Sequence, residues 1–341
     1  MNQPTFDDVL NAAKRIQGKV HKTPLFESAL LNKWLGHRII FKAECLQKIG
    51  AFKLRGAVNV LAHHAECGTL PQRVVANSSG NHAQAVAYAA SLYNIPVTIF
   101  AAKSISPIKA AATKSYGADL KLYDSRPEAD EAVSEAAQLP GTLWIPPFND
   151  KDVIAGQGTA ALEAIEEAGN VDAVFAPCGG GGLLSGSFLA TRGMLPDAKV
   201  IGAEPANAND AAKSLQSGII ETLPGPAQTL ADGAATPSVG EHTFAFLQEL
   251  DDFYEVDEIQ IAYWTQWLQH LLKLHIEPTS AMTMAAVAAW AVENETPKTA
   301  LVMLSGGNIS ATSMQKIWQQ DYLLQPPMIC PEEESQHEQH L

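Results

Sequence analysis

A lysine, a run of four glycines and a polar pentapeptide are the residues of this chain whose types and spacing can do chemistry. Lys53 stands in Gly50-Ala51-Phe52-Lys53-Leu54-Arg55-Gly56-Ala57, at the head of an Ala-, Leu- and Val-patterned helix where an amine can face a cleft. A lysine amine condenses with a carbonyl to form an imine. Gly179, Gly180, Gly181 and Gly182 follow an apolar strand and precede a helix beginning near Leu183. Free backbone N–H groups and the positive end of a helix then converge on one point, which holds a phosphate without a cationic side chain. Four adjacent glycines give up much backbone entropy for a mere connection. Neither a Gly-x-Gly-x-x-Gly register nor a Gly-Lys-Ser/Thr ending occurs there, so dinucleotide and P-loop readings are weaker. Ser78-Ser79-Gly80-Asn81-His82 opens another helix, and taken alone a plain helix cap by Ser79 or Asn81 is the simpler reading. Taken together, the three segments describe a pocket for an aldehyde-bearing, phosphorylated aromatic cofactor.

Regular elements must bring these segments together. Short β-branched runs alternate with Ala-rich stretches of helical pattern: Arg73–Ala76, Ala83–Tyr93, Val97–Phe100, Ile108–Tyr116 and Asp119–Tyr123. The rhythm resumes with Val171–Ala176, a helix from Leu183, Lys199–Ala203, and Ala300–Leu304 before a last helix. Alternation of this kind predicts open, mostly parallel sheets flanked by helices. Turn formers across Trp144–Asp150 mark a crossing between two lobes, and Leu223-Pro224-Gly225-Pro226 marks a loop. No internal repeat is present.

From Thr23-Pro24-Leu25 to Ser305-Gly306-Gly307-Asn308 the chain resembles the tryptophan-synthase-type (fold type II) pyridoxal-phosphate enzymes, in the threonine dehydratase and serine racemase branch. The resemblance implies an α/β fold of two lobes, each an open twisted sheet. It divides the chain into residues 1–71 and 149–325, a large cofactor-binding lobe, and residues 72–148, a small mobile lobe. It makes Lys53 the Schiff-base lysine and the base for the substrate's α-proton. Phe52, Asn81, Gly179, Gly180, Gly181, Gly182, Leu183 and Ser305 become the other cofactor contacts, with Asn81 at the ring hydroxyl and Ser305 at the pyridine nitrogen. A serine there leaves the ring a weaker electron sink than a carboxylate would, which favours elimination over transamination. Ser78, Ser79 and His82 are implied at the substrate carboxylate, and Arg126, Asn149 and Glu277 at the border of the site. Ser79 occupies the position of the second acid/base in serine racemases. Glu204, the Ala208 carbonyl and Asp210 match the racemase metal loop, an all-oxygen set suited to Mg²⁺, Mn²⁺ or Ca²⁺. The chain departs from the family where Thr-Gly-Ser-Phe-Lys reads Ile49-Gly50-Ala51-Phe52-Lys53, losing two hydroxyls.

Composition excludes several classes. At 341 residues and 36.5 kDa, with 46% hydrophobic residues, the chain can bury a substantial core. A net charge of −14 repels a phosphate backbone, so nucleic acid is not an expected partner. Cys45, Cys67, Cys178 and Cys330 form no Cys-x-x-Cys and read as reduced thiols of a cytoplasmic protein. The opening residues carry no charged-then-apolar signal, and no apolar run reaches the roughly 20 residues of a membrane helix. Residues 326–341, with Glu332-Glu333-Glu334, read as a solvated tail.

The expectation is therefore a dehydratase that eliminates water from L-threonine or L-serine to give a 2-oxo acid and ammonia. Serine racemase, with Ser79 as second base, and a 3-hydroxyaspartate dehydratase or racemase using Arg126 stay open beside it. A cofactor-binding protein with little turnover, suggested by Ala51, is the alternative of another class. The resemblance also implies a homodimer, and no end-product control is expected, since the chain stops soon after Asn308.

Overall fold

The computed structural model describes residues 3–328, so the expected tail at 326–341 falls outside them except for its first three residues. Among the described residues ten strands make two sheets: β1 (Leu25–Glu27), β2 (Arg38–Ala43), β3 (Arg73–Asn77), β4 (Val97–Ala102), β5 (Asp119–Tyr123), β6 (Thr142–Trp144), β7 (Ala173–Pro177), β8 (Lys199–Pro205), β9 (Asp252–Val256) and β10 (Thr299–Leu304). The six-stranded sheet has the order β1-β2-β10-β7-β8-β9 and is parallel except for the β1–β2 pair. The four-stranded sheet, β5-β4-β3-β6, is parallel throughout and is drawn wholly from residues 73–144. The α/β architecture inferred from the strand–helix rhythm is the one observed. Strands β7, β8 and β10 are buried on both faces, which is why they read as unbroken apolar runs. Strand β2 carries no such signal because Lys42 interrupts it; that lysine is buried nonetheless, its ammonium bonded to Glu163 at 2.7 Å.

Three helices fix the chemical segments relative to one another. The helix Lys151–Ala168 passes the helix Lys53–Glu66 so closely that a Cβ on Gly156 would stand 2.6 Å from the Gly56 Cα. It passes the helix Gly182–Met194 equally closely, since a Cβ on Gly158 would stand 2.6 Å from the Gly186 carbonyl oxygen. Only glycines permit this backbone-to-backbone approach. One helix thus sets the distance between the lysine and the tetraglycine. The helix Lys53–Glu66 also packs against the four-stranded sheet, as Leu54, Ala57, Val58 and Leu61 share a buried cluster with Val74, Ala76 and Ile99 of its strands and with Val86.

Beneath Lys53, the fully buried Arg55 guanidinium donates to both oxygens of Glu44 at 2.8 Å and to those of Glu163 at 2.8 and 2.7 Å. Lys42 completes a group of two cations and two anions.

Candidate active site

A cleft of about 470 Å³ opens where the carboxyl ends of strands from both sheets face each other, the usual place for a ligand in open α/β sheets. Its walls include Phe52 and Lys53, the Ser78–His82 turn after β3, the glycines after β7 and Ser305 after β10. The three segments singled out in the sequence therefore meet in one cavity.

Lys53 begins its helix, so its side chain projects from the open end rather than along a packed face. Its Nζ donates to the Pro147 carbonyl at 2.6 Å and lies 5.1 Å from the centre of the Phe52 ring. Burial pushes its pKa down to about 8, against the opposing pull of Glu277, so a substantial fraction of the amine is neutral near physiological pH. A neutral amine is the nucleophile that captures an aldehyde.

The glycines form a cup. Gly181 has φ +88°, and the helix beginning at Gly182 has no side-chain cap and no acidic residue in its first turn, so its leading N–H groups face the cleft unclaimed. A Cβ on Gly180 would fall 2.1 Å from Phe148, and one on Gly179 would meet Ala234 at 3.0 Å. Thr243 Oγ1 donates to the Gly180 carbonyl at 2.8 Å, turning that oxygen away from an incoming anion. The residues present suit the cofactor implied by the sequence: the cup would hold its phosphate, and Lys53, lining the same cleft, would capture its aldehyde.

Asn81 opens its helix behind Gly80 and does not cap it; neither does Ser79, whose hydroxyl accepts from the Ala102 N–H at 3.2 Å. The Asn81 amide instead donates to both oxygens of Glu277, at 3.1 and 3.2 Å. Glu277 is buried; burial and Asp232 push its pKa up to about 7, opposed by the bond from Asn81. The buried Ser305 hydroxyl shares a 3.0 Å hydrogen bond with Ser280, a partner that no local pattern in the sequence betrays.

Ser78 Oγ accepts from the Gly80 N–H, and His82 Nε2 bonds the Ile145 carbonyl at 2.8 Å. Burial and the nearby Lys53 charge push the His82 pKa down to about 3, so it stays neutral. Arg126 lines the cleft, donating to the Ala235 carbonyl at 3.1 Å. Lys109, unremarked in an Ala-rich helix, lines it too and reaches Asp232 at 2.8 Å. Asn149 does not line it: its Oδ1 accepts from the His242 N–H, and Phe148 takes the wall position.

Glu204, Ala208 and Asp210 lie apart from the cleft, at the end of β8. Glu204 Oε1 and Oε2 accept from the N–H groups of Ala212 and Ala211 at 2.6 and 3.2 Å. Both carboxylate oxygens of Asp210 are buried without a hydrogen-bond partner; the N–H groups of Asp210 itself and of Val239 temper the charge without reaching bonding geometry. Burial raises Glu204 to about 8 and Asp210 to about 7. Among the described residues no group of three or more His, Cys, Asp and Glu could hold a metal, so a cation here would need carbonyl and water ligands as well. With the Asp210 oxygens orphaned, this all-oxygen donor set is compatible with a hard divalent cation.

A family model described as pyridoxal-phosphate dependent enzyme matches residues 16–306. The chain is 43% identical to an L-threo-3-hydroxyaspartate ammonia-lyase of Saccharomyces cerevisiae, covering 90% of this chain and 94% of that protein. It is 39% identical to a serine racemase of Schizosaccharomyces pombe, again over 90% of this chain and 94% of the relative. Among solved structures, a serine racemase from Dictyostelium discoideum superposes with a TM-score of 0.83 at 36% identity, covering 90% of this chain and 99% of the other. A solved threonine deaminase superposes with a TM-score of 0.84 at 39% identity and the same coverage. Among the described residues no helix is long and apolar enough to cross a membrane.

Proposed function

The chain belongs to the pyridoxal-phosphate-dependent enzymes, and from that premise we propose that it eliminates water from a β-hydroxy amino acid, L-threonine or L-serine, releasing a 2-oxo acid and ammonia. The observation that carries this reading is the meeting of the Lys53 amine and the Gly179–Gly182 cup in one cleft. When bound, pyridoxal phosphate supplies an aldehyde for amine capture and a ring that withdraws electrons from the substrate's α-carbon. Lys53 holds the cofactor and, once freed, takes the α-proton, for which a pKa near 8 suits it. N–H groups from Ser79 to His82 receive the substrate carboxylate. Asn81 would hold the ring hydroxyl, and Ser305, steadied by Ser280, would meet the ring nitrogen without fully protonating it.

A dicarboxylate substrate, 3-hydroxyaspartate, is the second reading. Its support is the pair of cations, Lys109 and Arg126, on one wall of the cleft, together with the hydroxyaspartate ammonia-lyase among the relatives. Ser79 supplies a hydroxyl for two-base racemisation in the same cleft. The bonds of Lys109 to Asp232 and of Arg126 to Ala235 also support a lobe of residues 72–148 that closes on the remainder. A divalent cation on Glu204, the Ala208 carbonyl and Asp210 belongs to the same proposal, as a structural or activating ion supported by the orphaned Asp210 oxygens. So do a homodimer and a cytoplasmic location.

The test is a parallel assay of 2-oxobutyrate, pyruvate, oxaloacetate and D-serine with wild type and Ser79→Ala. Keto-acid formation by both proteins, with any D-product lost in the variant, is expected. Oxaloacetate as the dominant product would install the second reading, and visible cofactor absorption without turnover of any substrate would sink both. Borohydride reduction followed by peptide mapping should place the pyridoxyl group on Lys53.

A further inference from the structure

Three residues from distant parts of the chain close a ring behind the cleft. Asn308 Nδ2 donates to Asn81 Oδ1 at 2.9 Å and to the Ile49 carbonyl at 2.8 Å. Asn81 Nδ2 donates to Glu277. The Asn308 N–H tempers the Glu277 charge without reaching bonding geometry, and the Glu277 N–H donates to the Gly306 carbonyl at 3.0 Å, which closes the ring through the backbone. The ring is packed without slack. A Cβ on Gly50, already at φ +71°, would lie 2.7 Å from Asn308 Oδ1, and one on Gly306 would lie 2.7 Å from Glu277 Oε1. The Gly307 N–H donates to the Gly50 carbonyl at 2.9 Å, tying the two glycine-bearing segments together.

An asparagine amide has two opposite faces, and rotating it by half a turn exchanges donor for acceptor. At Asn81 that rotation would set two NH₂ groups against each other at Asn308 and a carbonyl against a carboxylate at Glu277. With Glu277 ionised, both contacts would be repulsive. We infer that Asn308, with Glu277, is a positioning residue that locks the amide of Asn81 in one orientation, leaving one Nδ2 hydrogen on Glu277 and presenting the other to the cofactor's ring oxygen. The inference rests on the assignment of the cleft to pyridoxal phosphate and adds to it a residue that touches neither cofactor nor substrate. It also gives the Ile49-Gly50-Ala51 departure a physical setting. The side chains at 49 and 51 offer no hydroxyl, and the orienting hydrogen bonds come from Asn308, whose donor is shared with the Ile49 backbone.

A double-mutant cycle on the full chain tests this, read by the dissociation constant for pyridoxal phosphate and by the visible absorption maximum of the bound cofactor. Asn308→Ala is expected to weaken binding by about tenfold, the scale of one lost hydrogen bond to a buried group, and to move the maximum. Asn308→Asp, which sets a third acceptor against Asn81 Oδ1 and the Ile49 carbonyl, is expected to do more. In an Asn81→Ala background, Asn308→Ala is expected to change affinity by less than about twofold and leave the maximum where it is, because its route of action is gone. Inorganic phosphate should raise the melting temperature of the cofactor-free wild type and Asn308→Ala equally, as the glycine cup is untouched. Equal losses in both backgrounds would overturn the inference, since general damage to the fold does not need Asn81. Unchanged affinity and spectrum in Asn308→Ala would overturn it as well. A wild type that neither binds pyridoxal phosphate nor yields a Lys53 adduct sinks the cleft assignment itself. A wild type that binds, with an additive cycle, sinks only the role of Asn308.

Discussion

Two groups of carboxylates serve the same sheet, and burial raises the pKa of both Glu44 in one and the Glu204–Asp210 pair in the other, yet the net shifts run in opposite directions. Glu44, at the end of β2, is driven upward by burial, yet Arg55, Lys42 and the Thr23 hydroxyl hold it below the ordinary carboxylate range. Glu204 and Asp210, at the end of β8, are raised to about 8 and 7, opposed only by backbone N–H groups and, at Asp210, by the weaker pull of Lys213. The first group is electrically complete: two lysine or arginine cations face two glutamates within 2.8 Å. The second has no cation within salt-bridge distance among the described residues. What separates them is the partner and not the depth, because desolvation penalises both alike while only a close opposite charge or a bound ion repays it. One cluster is finished by the chain itself, and the other would be finished only by the proposed cation.

The most severe way to break the first group is Arg55→Met, which leaves the buried Glu44 and the half-buried Glu163 with Lys42 as their one cation. A loss of about 3–5 kcal/mol in urea unfolding is expected, and a loss below about 1 kcal/mol would erase the contrast. The second group should respond with the opposite sign. Without divalent cations Asp210→Asn is expected to be at least as stable as wild type, since it removes an uncompensated charge. Magnesium at a hundred times its dissociation constant should stabilise wild type by about 2.7 kcal/mol and leave Asp210→Asn unmoved; a variant that responds like wild type would place the ion elsewhere.

Lys42 and Lys53 sharpen the contrast further. Lys42 is fixed on Glu163, whereas Lys53 has only a carbonyl acceptor and a pKa near 8. Because the neutral amine is the reactive form, capture of pyridoxal phosphate by the cofactor-free protein should accelerate as pH rises and level off above about 8. The rate should fall about tenfold per unit below that point. A midpoint near 10.5, or borohydride labelling of Lys42, would contradict the assignment. The smallest effect is expected at the pair bridging the cleft. Asp232→Asn removes the partner of Lys109, but Asp232 is 54% exposed, so stability should change by less than about 1 kcal/mol in the same urea assay.

Much of the fold and the centre of the site were legible because their signals are local. The strands β7, β8 and β10 advertise themselves through burial on both faces, and the βαβ rhythm fixes their parallel sense. Lys53, the tetraglycine and the Ser78–His82 turn each sit at a helix start after a strand or tight turn, where the reason for the residue type lies within a few neighbours. Strand β2 was hidden by Lys42, whose burial depends on Glu163 far along the chain. Asn149 and Phe148 are adjacent, and nothing local decides which faces the cleft; the His242 N–H at another helix start claims Asn149.

The sequence alone determined the chemistry on offer, a helix-start amine and a glycine cup suited to an imine and a phosphate in a parallel α/β frame, because helix starts, glycine runs and apolar periodicity act over a few residues. Tertiary structure alone decided which groups complete that chemistry. Ser280 beneath Ser305, Asn308 and Glu277 around Asn81, Lys109 against Asp232, and the unpaired Asp210 all depend on contacts between segments tens to hundreds of residues apart. Hydrogen bonds and ion pairs reach only a few ångströms, so their partners are settled when the chain has folded and the buried groups have found, or failed to find, an opposite charge.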